Sequence, residues 1–239
     1  MQGARQLRIA GMVLAAILVG VLPVSAAPKE HTLGLGAVRH VPYSKIGDPA
    51  GAAAGETALK IRALLVDSVV KEWTTGDTHD VTDRSFVVRR VIKLNDALPG
   101  DAKANWVWQR GPWLLVDRAS GHIVALKLPD YDPGVSQVSW FRDYAAYCGL
   151  TASGKSLYAV VAQVAARKAV LAKKLEAFDP QNHPDLVCDV AEWQREPLRI
   201  TFHPAGVDAV SFDIVPGSAV LVEDAGDEAE TAAADAKPK

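Results

Sequence analysis

The chain has 239 residues and is nearly balanced in charge, with 26 Lys and Arg against 28 Asp and Glu. That balance excludes the basic surplus by which nucleic-acid binders neutralise phosphates. Its two cysteines permit one intramolecular bridge and exclude a small scaffold held mainly by disulfides.

Residues 1–26 read as a secretory signal peptide. Arg5 and Arg8 give a basic start, Ile9 to Val24 is apolar apart from Gly and Pro, and Val24-Ser25-Ala26-Ala27 offers the small residues a signal peptidase needs. Pro23 and these small residues favour cleavage over a retained anchor. No later run is apolar for long enough to cross a bilayer, so no stable membrane insertion is expected after cleavage. The expected location is periplasmic or extracellular.

Residues 27–57 are rich in Gly, Ala and Pro, ending in Gly47-Asp-Pro-Ala-Gly-Ala-Ala-Ala-Gly55, and read as a linker. Within it, His31 to Tyr43 alternates and can add one edge strand. Residues 223–239 form an acidic, Ala-rich tail that is expected to be disordered. Setting aside Arg5, Arg8 and this tail, with its six acids and two lysines, leaves 22 basic and 22 acidic residues.

Between linker and tail, residues 58–222 suit one domain with a single core. Apolar residues recur there with period two. Phe86, Val88, Ile92 and Leu94 share one strand face, interrupted by Arg90, and Trp106 and Trp108 share another. Leu198, Ile200 and Phe202 alternate with Arg199, Thr201 and His203; Val210, Phe212 and Ile214 repeat the pattern. Turn signals separate the runs at Asp67-Ser68, Ser120-Gly121-His122, Asp130 to Gly134, Ser153-Gly154-Lys155 and Pro204 to Asp208. The predicted class is all-β, a single antiparallel domain of sandwich or small propeller-like form. Trp108-Gln-Arg-Gly-Pro112 is echoed by Trp193-Gln-Arg-Glu-Pro197, a faint hint of a repeat. Residues 156–178 are ambiguous. Their Ala and Lys content and the stripe Leu157, Val161, Val164, Leu171, Leu175 and Phe178 fit a helix, whereas the Tyr158-Ala-Val-Val161 opening and the β-rich surroundings favour strands.

The sharpest motif is Gly149-Leu-Thr-Ala-Ser-Gly-Lys-Ser156, which matches the phosphate-binding P-loop pattern letter for letter. Gly149 and Gly154 would expose backbone N–H groups, Lys155 would neutralise phosphates, and Ser156 would hold Mg²⁺. Export, and the short stretch left to complete a parallel sheet, oppose that role. Ser-Gly-Lys is also an ordinary hairpin turn, and that reading is preferred.

Cys148 and Cys188 are expected to pair after export. Asp77, His79, Asp80 and Asp83 place carboxylates and an imidazole close enough for acid/base work or metal binding, but in no zinc spacing; a polar loop is the preferred reading. Asp130, Asp132 and Gly134 begin like a calcium loop whose later ligands are missing. No nucleophile elbow and no His-Glu-x-x-His occurs, and the six histidines are scattered. No cofactor is called for. Trp106, Trp108 and Trp113 form the best candidate binding surface, with core packing as their plainer use. The function expected is that of an exported, non-catalytic binding or structural module of the cell envelope, with a protein or glycan partner and no nucleic acid. The alternatives are a hydrolase using the Asp77 to Asp83 cluster, and nucleotide or phosphate binding through residues 149–156.

Overall fold

The period-two pattern becomes fifteen strands in three antiparallel sheets, with no helix among the described residues. The computed structural model describes residues 31–44, 58–133, 136–154, 156–164, 166, 168–175, 188–204 and 208–222. The segment 1–26, the linker apart from 31–44, and the tail 223–239 lie outside them.

The first sheet holds β1 (Leu33–Leu35), β2 (Arg39–Pro42), β3 (Ala58–Val66), β4 (Val69–Asp80), β5 (Ser85–Asn95), β6 (Trp106–Asp117) and β7 (Ile123–Ala125). Its order is β1-β3-β4-β5-β6-β7, with β2 also on β3. The edge strand expected in 31–43 is thus two short strands, both laid along the free edge of β3. Asp67 and Ser68 make the two-residue β3–β4 turn, with φ of 51° and 64°, the left-handed values that match hairpin twist. The Asp67 carboxylate also accepts from His31 Nδ1 at 2.8 Å and from Thr32 N at 3.0 Å, which holds β1 against the turn. The sheet curls: Tyr43, just past β2, makes a parallel bridge to Trp108, and Ser44 N donates to Trp108 O at 3.0 Å. One bridge does not close it into a barrel.

A β-bulge on β6 decides where its tryptophans go. Arg89 pairs with Trp113 and Val91 with Arg110, so β6 spends one more residue than β5 around Gly111 and Pro112. Pro112 has no N–H to give a ladder, which suits it to such a break. Counting by twos from Trp108 would put Trp113 on the opposite face; the bulge returns it to the same one.

The second sheet is a meander of β8 (Ser139–Phe141), β9 (Tyr144–Leu150), β10 (Leu157–Gln163) and β11 (Ala169–Leu175). The third is a meander of β12 (Glu192–Gln194), β13 (Arg199–Phe202), β14 (Val210–Val215) and β15 (Ser218–Leu221). They pack face to face. Ala146, Cys148, Leu157, Ala159, Val161 and Leu175 from one side meet Ile200, Phe202, Phe212 and Ile214 from the other. On the opposite face of the second sheet, Ala145, Tyr147, Val160 and Ala162 pack with Trp140 of β8 and with Leu128, Tyr131 and Val138. Burial on both faces explains why β9 and β10 read as nearly continuous apolar runs rather than alternating ones. The ambiguous segment is therefore strand in its described part, as β10 and β11. Inward Ile200, Phe202, Phe212 and Ile214 bear out the alternation read from residues 198–214. Trp108 lies on β6, an interior strand of the first sheet, and Trp193 on β12, an edge strand of the third, so the sequence echo marks no structural repeat.

The turn after β6 is built on Asp117. Its Oδ1 accepts from Ser120 N at 2.8 Å and Ala119 N at 3.0 Å, and its Oδ2 from Arg84 Nε at 2.9 Å. The Ser120 backbone N–H, above all, lowers its pKa from 3.8 to about 2, with the Ser120 hydroxyl and Arg84 assisting against desolvation. A depressed folded-state pKa contributes stability above the unfolded value and loses it as pH falls through the folded one. Asp117→Asn should therefore flatten the acid limb: between pH 3.8 and about 2, wild type should lose stability more steeply than the variant in urea titrations. Parallel limbs would contradict this.

Candidate functional site

Residues paired across antiparallel strands share a face, so the register of the first sheet assembles a surface no single strand contains. Arg39 pairs with Ile61, Ala63 with Trp73, Val91 with Arg110, Lys93 with Trp108, and Asn95 with Trp106. Leu59, Ile61 and Val91 form the buried floor, and Val41, Tyr43, Trp73 and Trp108 pack on it. Above this floor, cations stand against aromatic rings. The Arg39 guanidinium lies 5.4 Å from the Trp73 ring, and Trp73 meets Trp108 edge-on at 5.9 Å. The Lys93 ammonium is 6.0 Å from Trp108 and 5.2 Å from Trp106. Arg110 lies 5.0 Å from the Tyr43 ring and donates to its hydroxyl at 3.3 Å.

Among the described strand residues on this half of the face, charge has one sign. None of the residues that the register places here, from Arg39 and Trp73 to Asn95 and Trp106, is acidic. The nearest β4 carboxylate, Glu72, lies on the other face, where it accepts from Arg90 Nε at 2.9 Å. Arg39 and Lys93 are exposed and make no ion pair among the described residues; their contacts are with rings. Trp106 is 53% exposed, whereas Trp73 and Trp108 show only part of their surface.

The other half of the same face is covered by the second sheet. Trp113 is only 9% exposed and meets Trp140 edge-on at 5.1 Å. His79 stacks on Trp140 at 5.6 Å and its Nε2 donates to Arg142 O at 2.7 Å. Arg89 donates to Gly111 O at 3.4 Å and to Pro133 O, and lies 5.8 Å from the Tyr131 ring. Desolvation lowers the Arg89 pKa and raises that of Tyr131. Trp106 and Trp108 thus belong to one surface, while Trp113 is part of the joint between sheets. The bulge puts Trp113 on the shared face, and Trp140 covers it there.

The acidic cluster does not converge. His79 and Asp80 are neighbours in an extended strand and so point to opposite faces. Asp77 is fully exposed, 3.8 Å from Arg62. Asp80 pairs with Arg118, and Asp83 sits exposed in the β4–β5 turn. Among the described residues no group of three or more His, Cys, Asp or Glu is placed to hold a metal ion.

Gly149 to Ser156 spans the end of β9 and its hairpin to β10. Thr151 N donates to Ser156 O at 3.1 Å and Gly154 N to Thr151 O at 2.8 Å, with Gly154 at φ +69°. A P-loop needs a helix N-terminus after its Lys and Ser; here β10 begins at Leu157. Lys155 lies outside the described residues. Gly149 matters for packing, since a Cβ there would sit 2.9 Å from Asp130 O and 3.1 Å from Val160 Cγ2. Asp130 O in turn accepts from Leu150 N at 2.8 Å, which fixes it in place. The segment carrying Asp130 and Asp132 and this hairpin flank an open cleft of about 430 Å³, lined also by Leu128, Tyr131 and Thr151. Gly149→Ala should cost about 2 kcal/mol, an overpacking penalty. Gly154→Ala, strained in φ but facing open space, should cost about 1 kcal/mol. Urea denaturation of both variants checks this order; equal or reversed costs would refute it.

Cys148 and Cys188 are bonded, with Cα atoms 6.0 Å apart, and both lie in the core between the second and third sheets. No helix among the described residues is long and apolar enough to cross a membrane. Comparison of the chain with protein-family models, with curated proteins and with solved structures finds no match.

Sequence reasoning found Trp106 and Trp108 but missed Arg39, Tyr43, Trp73, Lys93 and Arg110. No stripe of alternating Arg and aromatic residues is visible along the chain because the partners come from separate strands. The missing signal was strand register.

Proposed function

We propose that this protein is an exported, non-catalytic binding module of the cell envelope, and that its ligand lies on the open half of the first sheet. One observation carries this reading: the run Arg39, Trp73, Trp108, Lys93, Trp106, in which two cations stand against three indoles over an apolar floor. Aromatic and cationic side chains presented together are the residue types on which binding energy concentrates. The bonded cysteine pair is consistent with an oxidising, exported location, and partners are accordingly sought among envelope proteins and glycans.

Trp106→Ala should abolish ligand-induced change in tryptophan fluorescence when mature protein is titrated with a panel of wall glycans and envelope proteins. At 53% exposure its removal disturbs little packing, so the melting temperature should stay within roughly 2 °C of wild type. A response that persists undiminished in Trp106→Ala would place the ligand elsewhere.

A further inference from the structure

Resting on that reading of the face, we infer that its ligand is an acidic polysaccharide, a chain of sugar rings bearing carboxylates. The three indoles, of which Trp73 and Trp108 meet edge-on, each offer apolar ring surface to the C–H faces of sugar rings. Lys93 stands between two indoles, 5.2 Å from Trp106 and 6.0 Å from Trp108, and Arg39 stands over Trp73. A uronate chain laid along this face places rings against indoles and carboxylates beside the ammonium and guanidinium. Arg39 and Lys93 have no carboxylate of their own among the described residues, and the register places none on this half of the face. Their charge is therefore available to a ligand, and attraction is stronger beside apolar surface than in bulk water.

Other occupants fit less well. A neutral glycan would cover the indoles and leave both cations unanswered. A second copy of this chain would set like charges against each other. Single-stranded nucleic acid is held through phosphates along a basic groove, whereas this face offers two cations without an ion pair, and the chain as a whole carries a net charge of −2.

The test is calorimetric titration of the full mature chain with oligogalacturonate, with a neutral cello-oligosaccharide of equal length and with oligothymidylate. Each is run at about 20 mM and about 300 mM salt, since screening weakens exposed charge pairs. Oligogalacturonate should bind at low salt. Its Kd should rise about tenfold or more in Arg39→Gln/Lys93→Gln and at high salt, and should be unchanged in Lys173→Gln on the exposed edge of β11. The two control oligomers should bind at least about tenfold more weakly. Circular dichroism establishes that each variant is folded. Equal affinity for the neutral oligosaccharide, lost in Trp106→Ala, would overturn the acidic class and leave the face as a binding site. Equal affinity for oligothymidylate, or no binding of oligogalacturonate, would also overturn it. Oligogalacturonate binding untouched by Trp106→Ala would overturn both the class and the face.

Discussion

Replacing Cys148 and Cys188 together by serine should lower stability by about 4 kcal/mol and the melting temperature by roughly 10 °C. The bond joins residues 40 apart in sequence, and in the chain-entropy treatment a closed loop of that length restricts the unfolded chain by about this amount. The position adds to the effect. Cys148 lies on β9 in the second sheet and Cys188 shortly before β12, so the bond ties the two layers of the sandwich together. Both residues are 4% exposed and sit in the shared core, where two serine hydroxyls would have to find partners or remain unsatisfied. Urea unfolding of wild type, of reduced wild type and of the double variant measures the loss. A change under about 1 kcal/mol would mean that the layers hold without the bond.

Phe202→Ala should cost about 4 kcal/mol, the second large effect. Phe202 is fully buried on β13 and packs edge-on against Phe212 of β14 at 6.1 Å between ring centroids. Ile200 and Ile214 flank it from the same sheet, and Ala159, Val161 and Cys148 close the core from the other. Ala159 and Val161 cannot move in to fill a void, because β10 is hydrogen-bonded to neighbours on both sides. The cavity term should therefore persist nearly whole. Val220→Ala, on the outer face of β15 at 57% exposure, is the matched control and should stay within about 0.5 kcal/mol of wild type. If the two variants were equally stable, the shared core would not be where the sandwich draws its stability.

Much of this fold was legible from local chemistry. Strands that face solvent on one side announced themselves: Arg199, Thr201 and His203 alternate with buried partners on β13 and just beyond it, and Asp67-Ser68 supplied its own turn. The stretch 156–178 was ambiguous for a physical reason. β10 is buried on both faces, so its alternation is erased, and it must be thin to fit between two layers. Ala159 and Ala162, residues of high helix propensity, are there for their small size. The cysteine pairing was readable because two thiols leave one choice. The candidate surface was only half readable. Trp106 and Trp108 stand two apart on one strand, but the bulge that redirects Trp113 depends on packing around Gly111, where a Cβ would meet Ile92 at 3.1 Å. Arg39 and Trp73 are distant in sequence and meet only through the pairing of β2 and β4 with β3.

The six tryptophans separate the surfaces of this molecule and make the decisive measurement direct. Trp73, Trp106 and Trp108 line the open half of the first sheet, whereas Trp113 and Trp140 lie in its joint with the second sheet and Trp193 packs against the sandwich core. Their indole N–H signals, assigned by single Trp→Phe substitutions, can be followed by NMR as oligogalacturonate is added. Shifts concentrated on Trp106, Trp108 and Trp73, saturating together, are the expected result. Shifts confined to Trp113, Trp140 or Trp193, or no shift in any indole, would contradict the assignment of this face as the ligand site.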